Sequence, residues 1–243
     1  LARRMKLDTA DASLDDLAEE LSASETCSGL ESRAALARDR GALQAGRKEY
    51  AAALLEYSEA IRLLDTPAGQ ESILLANTLV DMGLAEFHLD ALDSAQTHLE
   101  RALTITLRLR DETHATTGTI CRRLGELHRR RQEHRRAYDY FARAYKIWEP
   151  VYGPSHPIVG SLLVDLGRQE TEVGDLAAAE EHLAAAQRVL TAEPNASHSA
   201  DIRRDLPAAL AWLRIQQGRS EEGMQLIESA LADGQPTATL EAQ

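Results

Sequence analysis

The chain has 243 residues, a formal net charge of −12, 44% hydrophobic residues and only 4% aromatic ones. An acidic balance of this size speaks against nonspecific binding to nucleic acid or to an anionic membrane, and no apolar run approaches the roughly 18 residues of a membrane span. Cys27 and Cys121 are too few for a disulfide framework and form no CxxC pair, so reduced thiols in a cytoplasmic setting are expected. Ala and Leu dominate while Gly and Pro are sparse, which favours helix throughout.

Residues 1–31 stand apart. The start, LARRMKLD, lacks the apolar stretch of a signal peptide. It also lacks an initiating Met, which points to a piece of a longer protein. From Asp8 to Glu31 there are eight acids and no Lys or Arg. Such a composition reads as a solvated linker. The alternative is a short helix, begun at Ser13, that lays Leu14, Leu17 and Leu21 on the rest of the protein as a cap or lid.

From Ser32 the chain repeats itself. A motif of Ala, then a large residue four positions on, then Ala three further on, appears as Ala53–Tyr57–Ala60, Ala95–Leu99–Ala102, Ala137–Phe141–Ala144 and Ala179–Leu183–Ala186. The copies are 42 residues apart, and Gly41, Gly83, Gly125 and Gly167 stand twelve residues before each first Ala. A fifth, altered copy, Gly223–Ile227–Ala230, is displaced to 44 residues and has Ala211 at the glycine position, as terminal repeats often do. Small residues at these places let two antiparallel helices approach closely while the large residue fills the space between them.

The spacing predicts helices near 32–46, 48–65, 71–89, 91–109, 115–131, 134–150, 157–173, 176–191, 199–217 and 220–232. Turns within pairs carry Gly174-Asp175 and Gly218-Arg219; loops between pairs carry Thr66-Pro67, Gly153-Pro154 and Pro194-Asn195. The repeats are placed near 32–66, 71–110, 115–151, 157–192 and 199–232, with 233–243 as a tail.

This pattern resembles the tetratricopeptide repeat. The 42-residue period, with Tyr152-Gly-Pro-Ser-His-Pro157 between units, is similar to the kinesin-light-chain subtype. The resemblance implies an all-α, right-handed superhelical solenoid of about five helix pairs, whose concave groove is lined by the first helix of each pair and holds a peptide. The groove positions it implies are Arg38 in the first pair and Asn77, Val80, Asp81, Leu84 and His88 in the second. The third pair supplies Thr119, Arg122, Arg123, Glu126, Arg129 and Arg130; the fourth Ser161, Val164, Asp165 and Arg168; the fifth Trp212. Repeats that clamp the carboxylates of chaperone C-termini need Lys and Asn where this chain has Arg38, Ala42, Asp81, Thr119 and Arg123, so chaperone binding is disfavoured. Kinesin light chains favour Asn where this chain has Asp39, Asp81, Arg123 and Asp165.

The third pair is a basic island: Arg101 to Lys146 holds twelve basic residues and five acids, about +7 in a protein of −12. Arginine presents a planar fork suited to carboxylates. The expected function is therefore a non-enzymatic protein-interaction module. Its partner would be a protein or peptide with an acidic stretch and apolar anchors, the latter meeting Val80, Leu84 and Val164. Residues 8–31 could also dock there intramolecularly at high effective concentration. Two other readings remain. One is a self-assembling scaffold, because fifteen acids face six arginines from Ile147 onward. The other is the regulatory part of a larger signalling protein. The eight histidines are spread over all repeats with no HExxH and no Cys/His cluster, so no metal, cofactor or catalytic residue is expected. Cys121 reads as a small packing residue.

Overall fold

The computed structural model describes residues 27–66, 72–196 and 199–232. Among them are ten helices and no strand: α1 Cys27–Gly46, α2 Tyr50–Leu63, α3 Ile73–His88, α4 Leu92–Leu109, α5 Ala115–Arg130, α6 His134–Tyr152, α7 Pro157–Val173, α8 Leu176–Ala192, α9 Ser199–Gln216 and α10 Ser220–Ala232. They form five consecutive pairs, as the period predicts. The first helix begins at Cys27, ahead of the expected start at Ser32, so the end of the acidic stretch is helical. The proposed lid helix around Leu14, Leu17 and Leu21, and the tail 233–243, lie outside the described residues.

By its internal packing the chain divides into a first unit, Leu1–Glu112, and a second, Thr113–Gln243. In the first unit α1 packs on α2, α2 on α3 and α3 on α4; in the second α7 meets α6, α8 and α9. The motif residues form the core of both. Ala53, Ala60, Ala95 and Ala102 are fully buried, as are Ala137, Phe141, Ala144, Ala179, Leu183 and Ala186. Each large residue of that set contributes about 2–3 kcal/mol by leaving water. The glycines allow the approach: a Cβ at Gly41 would lie 2.5 Å from Tyr57, and one at Gly125 or Gly167 would lie 2.7 or 2.6 Å from Phe141 or Leu183. In the fifth pair the small residue has changed sides. Ala211 stands on α9, and Gly223 on α10 approaches its backbone so closely that a Cβ would come within 2.8 Å of the Ala211 carbonyl oxygen.

Helix ends repeat too. The turn within each pair needs a residue with positive φ, and Lys48, Asp90, Gln132, Gly174 and Gly218 supply it at φ 67, 61, 60, 89 and 77°. The three non-glycine residues bear about 1 kcal/mol of strain each, and no glycine marks those turns in the sequence. The N-caps of α3, α5 and α7 are Ser72, His114 and His156, each one repeat period after the last. Imidazole Nδ1 accepts from Thr116 N at 3.2 Å and from Ile158 N at 3.1 Å. Two histidines that look scattered in the sequence thus stand in for a serine cap.

Candidate functional site

The first helix of each pair carries residues that differ from repeat to repeat. In the first unit the Arg38 Nε of α1 donates to Asp81 Oδ2 of α3 at 2.7 Å, with both side chains under one-third exposed. Val80 and Leu84 lie on α3, as does Asn77, and all three are half-buried. His88, placed in the groove by the sequence reading, instead stacks on Tyr50 at the start of α2, with ring centroids 4.5 Å apart.

The second unit repeats that ion pair two periods further along the chain. Arg122 Nε of α5 donates to Asp165 Oδ2 of α7 at 3.3 Å. Here the side chains are 18% and 12% exposed, against 29% and 27% in the first unit. Glu126 adds to the cluster, 3.5 Å from Arg122 and 2.8 Å from Arg123. Burial works against the Arg122 charge, yet Asp165 and Glu126 hold its pKa above the usual guanidinium value. Burial raises the Asp165 carboxyl above the usual carboxylate range despite its arginine neighbours.

This geometry changes the role of several expected groove residues. Arg122 and Arg123 are already paired within the protein rather than offered free. Ser161 and Val164 are 4% and 1% exposed, and Ser161 Oγ donates to the Ile158 carbonyl; Val164 is a core residue, not an apolar contact for a ligand. Helix α7 is buried at nearly every position from Val159 to Thr171, because α6, α8 and α9 all pack on it. Thr119 is half-buried, its hydroxyl bonded to the Ala115 carbonyl, and Arg130 is exposed at the end of α5.

Two expected groove residues keep a buried donor without an acceptor, and a third, Arg168, has one weak bond. Arg129 Nε and Trp212 Nε1 are buried without an acceptor, and among the described residues the hydrogen bonding of Arg168 is a 3.4 Å contact to the Asp205 carbonyl. Burial, then the neighbouring Arg129, lowers the Arg168 pKa. Sequence reasoning named all three residues but gave Arg122 and Arg123 the leading role, because Asp165, the partner of Arg122, is carried by a different helix pair.

A second repeated contact ties helices within pairs. His98 Nδ1 lies 2.7 Å from Glu86 Oε2, and His182 Nδ1 lies 2.7 Å from Glu170 Oε2, again two periods on. At the intermediate repeat the same positions hold His128 and Tyr140, whose rings stack 5.2 Å apart and 6° from parallel. His182 has a raised pKa, from its hydrogen bond to Glu170. Cys121 is buried. Among the described residues no group of His, Cys, Asp and Glu could hold a metal ion, and no helix is long and apolar enough to cross a membrane.

The tetratricopeptide repeat profile matches residues 74–149 and 119–192. No curated protein sequence matches the chain. Among solved structures, BtubC (BKLC) from P. vanneervenii is similar with TM-score 0.74 and 16% identity, over 96% of this chain and 91% of that one. The apo form of RapI gives TM-score 0.71 and 13% identity over 93% and 94%. A variant of a putative kinesin light chain from Podosopora anserina, with nearly identical TPR-like repeats, gives 0.65 and 17% over 86% and 96%. The helix pairs of 42 residues, the Gly–Ala–large–Ala packing and the profile match identify residues 74–192 as tetratricopeptide repeats, a fold that generally mediates protein–protein interaction, and the solved structures, at 13–17% identity, share that fold.

Proposed function

We propose that the chain holds a peptide or helix of a partner protein against the first helices of its pairs, through apolar anchors and an acidic stretch; each unit supplies its own face, apolar in the first and basic in the second. The observation that carries this reading is the contrast around the two matched ion pairs. Two periods along, Ala42, Ala45 and Leu84 of the first unit become Glu126, Arg129 and Arg168 of the second. Ala42 is exposed and Leu84 half-buried, so packing leaves those two positions free to change, whereas Ala45 also packs on the Ala53–Tyr57–Ala85 cluster. Amphipathic peptides are read by this combination of apolar contact and charge.

A displayed random-peptide library selected on the full chain tests the reading. Enriched peptides are expected to combine a run of Asp or Glu with Leu, Ile or Phe. Leu84→Glu should weaken the selected peptides about tenfold, the cost of burying a charge at an apolar contact. A library that enriches nothing, or enriches basic peptides, overturns the reading. Reversal of Arg122 is a poor test, because it would place a third carboxylate beside Asp165 and Glu126 and disturb the fold itself.

A further inference from the structure

On the first-helix face of the second unit, charge and hydrogen-bond capacity do not balance. The carboxylates engaged in its ion pairs are Glu126, Asp165, Asp201 and Asp205. Three guanidiniums use them: Arg122 and Arg123 as described, and Arg204, which lies 3.3 Å from Asp201 and 2.8 Å from Asp205. Arg129 and Arg168 remain. Neither has a carboxylate oxygen within 4.0 Å among the described residues. Arg129 Nε is buried with no acceptor at all.

The indole of Trp212 adds a second buried donor without an acceptor. It stands on α9 at the position that corresponds to Arg168 on α7, one slightly lengthened period on, and these two helices pack together. A buried donor without an acceptor is destabilising, the more so when it is charged. Native proteins leave few such groups, and each calls for a reason. Arg129 Nε and Trp212 Nε1 are donors only and both arginines are cationic, so an anion is the partner that would suit all three groups.

We propose that Arg129, Arg168 and the Trp212 N–H form a clip that binds one carboxylate side chain of a partner peptide. The proposal rests on the peptide-binding reading and names its acidic anchor. A carboxylate fits better than a phosphate for two reasons. The five guanidiniums exceed the four carboxylates by one charge, which a single carboxylate neutralises. The second charge of a phosphate would face Asp165 and Asp205, both close enough to Arg168 to influence it. The flat guanidinium fork also matches the geometry of a carboxylate. The residues that would hold chaperone C-termini in related repeats, Arg38, Ala42, Asp81, Thr119 and Arg123, take no part.

The test is calorimetric titration of the full chain with end-blocked hexaglutamate and hexaglutamine at physiological salt. Hexaglutamate is expected to bind although the protein carries −12, and hexaglutamine is not. Arg129→Met and Arg168→Met should each weaken hexaglutamate about tenfold or more. Arg62→Gln, on the exposed face of α2, should leave it unchanged. Removing an unmatched buried charge relieves its desolvation, so both Met variants should melt at or above the wild-type temperature, which separates lost binding from lost folding. Trp212→Phe keeps the ring, removes the donor and should weaken binding without either arginine being touched. Wild type that fails to bind hexaglutamate overturns the clip, as do Met variants that bind it equally or inorganic phosphate that competes it away at lower concentration. A library-selected peptide that binds Arg168→Met with wild-type affinity overturns the clip alone; a library that enriches nothing overturns the interaction reading beneath it.

Discussion

The two units are built on one template and finished differently. Both tie successive first helices with an Arg–Asp pair, Arg38–Asp81 and Arg122–Asp165. Both tie the helices of a pair with a Glu–His contact, Glu86–His98 and Glu170–His182. In the first unit the Arg–Asp pair is more than a quarter exposed; in the second Glu126 joins it and it is more deeply buried. The same interaction is therefore a modest surface tie in one place and a buried element of a polar network in the other. The lesson is that an ion pair is defined by its surroundings. Desolvation sets its energy, and the charges left over around it set its chemistry.

The largest expected effect tests that difference directly. Arg122→Ala leaves Asp165 buried without its partner and should cost about 3 kcal/mol of stability. Arg38→Ala, at the equivalent half-exposed site, should cost about 1 kcal/mol or less. Equal losses in urea denaturation would erase the distinction between the units.

Next come the glycines, where the units should agree. A Cβ at Gly83 would lie 3.0 Å from Leu99, and one at Gly167 would lie 2.6 Å from Leu183. Gly83→Ala and Gly167→Ala should each destabilise by about 1–3 kcal/mol through overpacking, with Gly167→Ala the worse. A harmless Gly167→Ala would show that the helices are less closely apposed than the template requires.

The smallest effect is in the pH dependence. The His182 pKa is raised in the folded protein by its bond to Glu170. Its stabilisation is complete below the unfolded value of about 6.5 and is lost as pH rises through the higher folded value. His182→Gln should therefore flatten the fall in stability as pH rises above about 6.5, measured by denaturation on both sides of that pH. A variant that keeps the wild-type slope would remove His182 from the account.

The repeat was legible because its marks are spaced by the chain itself. Gly41, Gly83, Gly125 and Gly167 fall twelve residues before Ala53, Ala95, Ala137 and Ala179, and all four alanines are fully buried. The turns were only half legible, since Lys48, Asp90 and Gln132 take positive φ without being glycine. The candidate site was legible as a set of residues but not as a hierarchy. Arg122, Arg123, Arg129 and Arg168 look alike along the chain. Which of them is neutralised depends on carboxylates carried by other helices or a full turn away, such as Asp165 and Glu126. Val164 looked like an open apolar contact because its helix was read as a groove wall, whereas three neighbouring helices enclose it.

By itself, then, the sequence determined the helix pairs, their repeat register and their core, because close helix packing is a local, periodic demand on side-chain size. Tertiary structure alone decided which charges are spent inside the protein. Pairing and desolvation depend on distances between helices of successive pairs, as in Arg38–Asp81 and Arg122–Asp165, and no local pattern encodes them. In the proposed reading, that decision moves the acidic anchor from Arg122 and Arg123 to Arg129, Arg168 and Trp212.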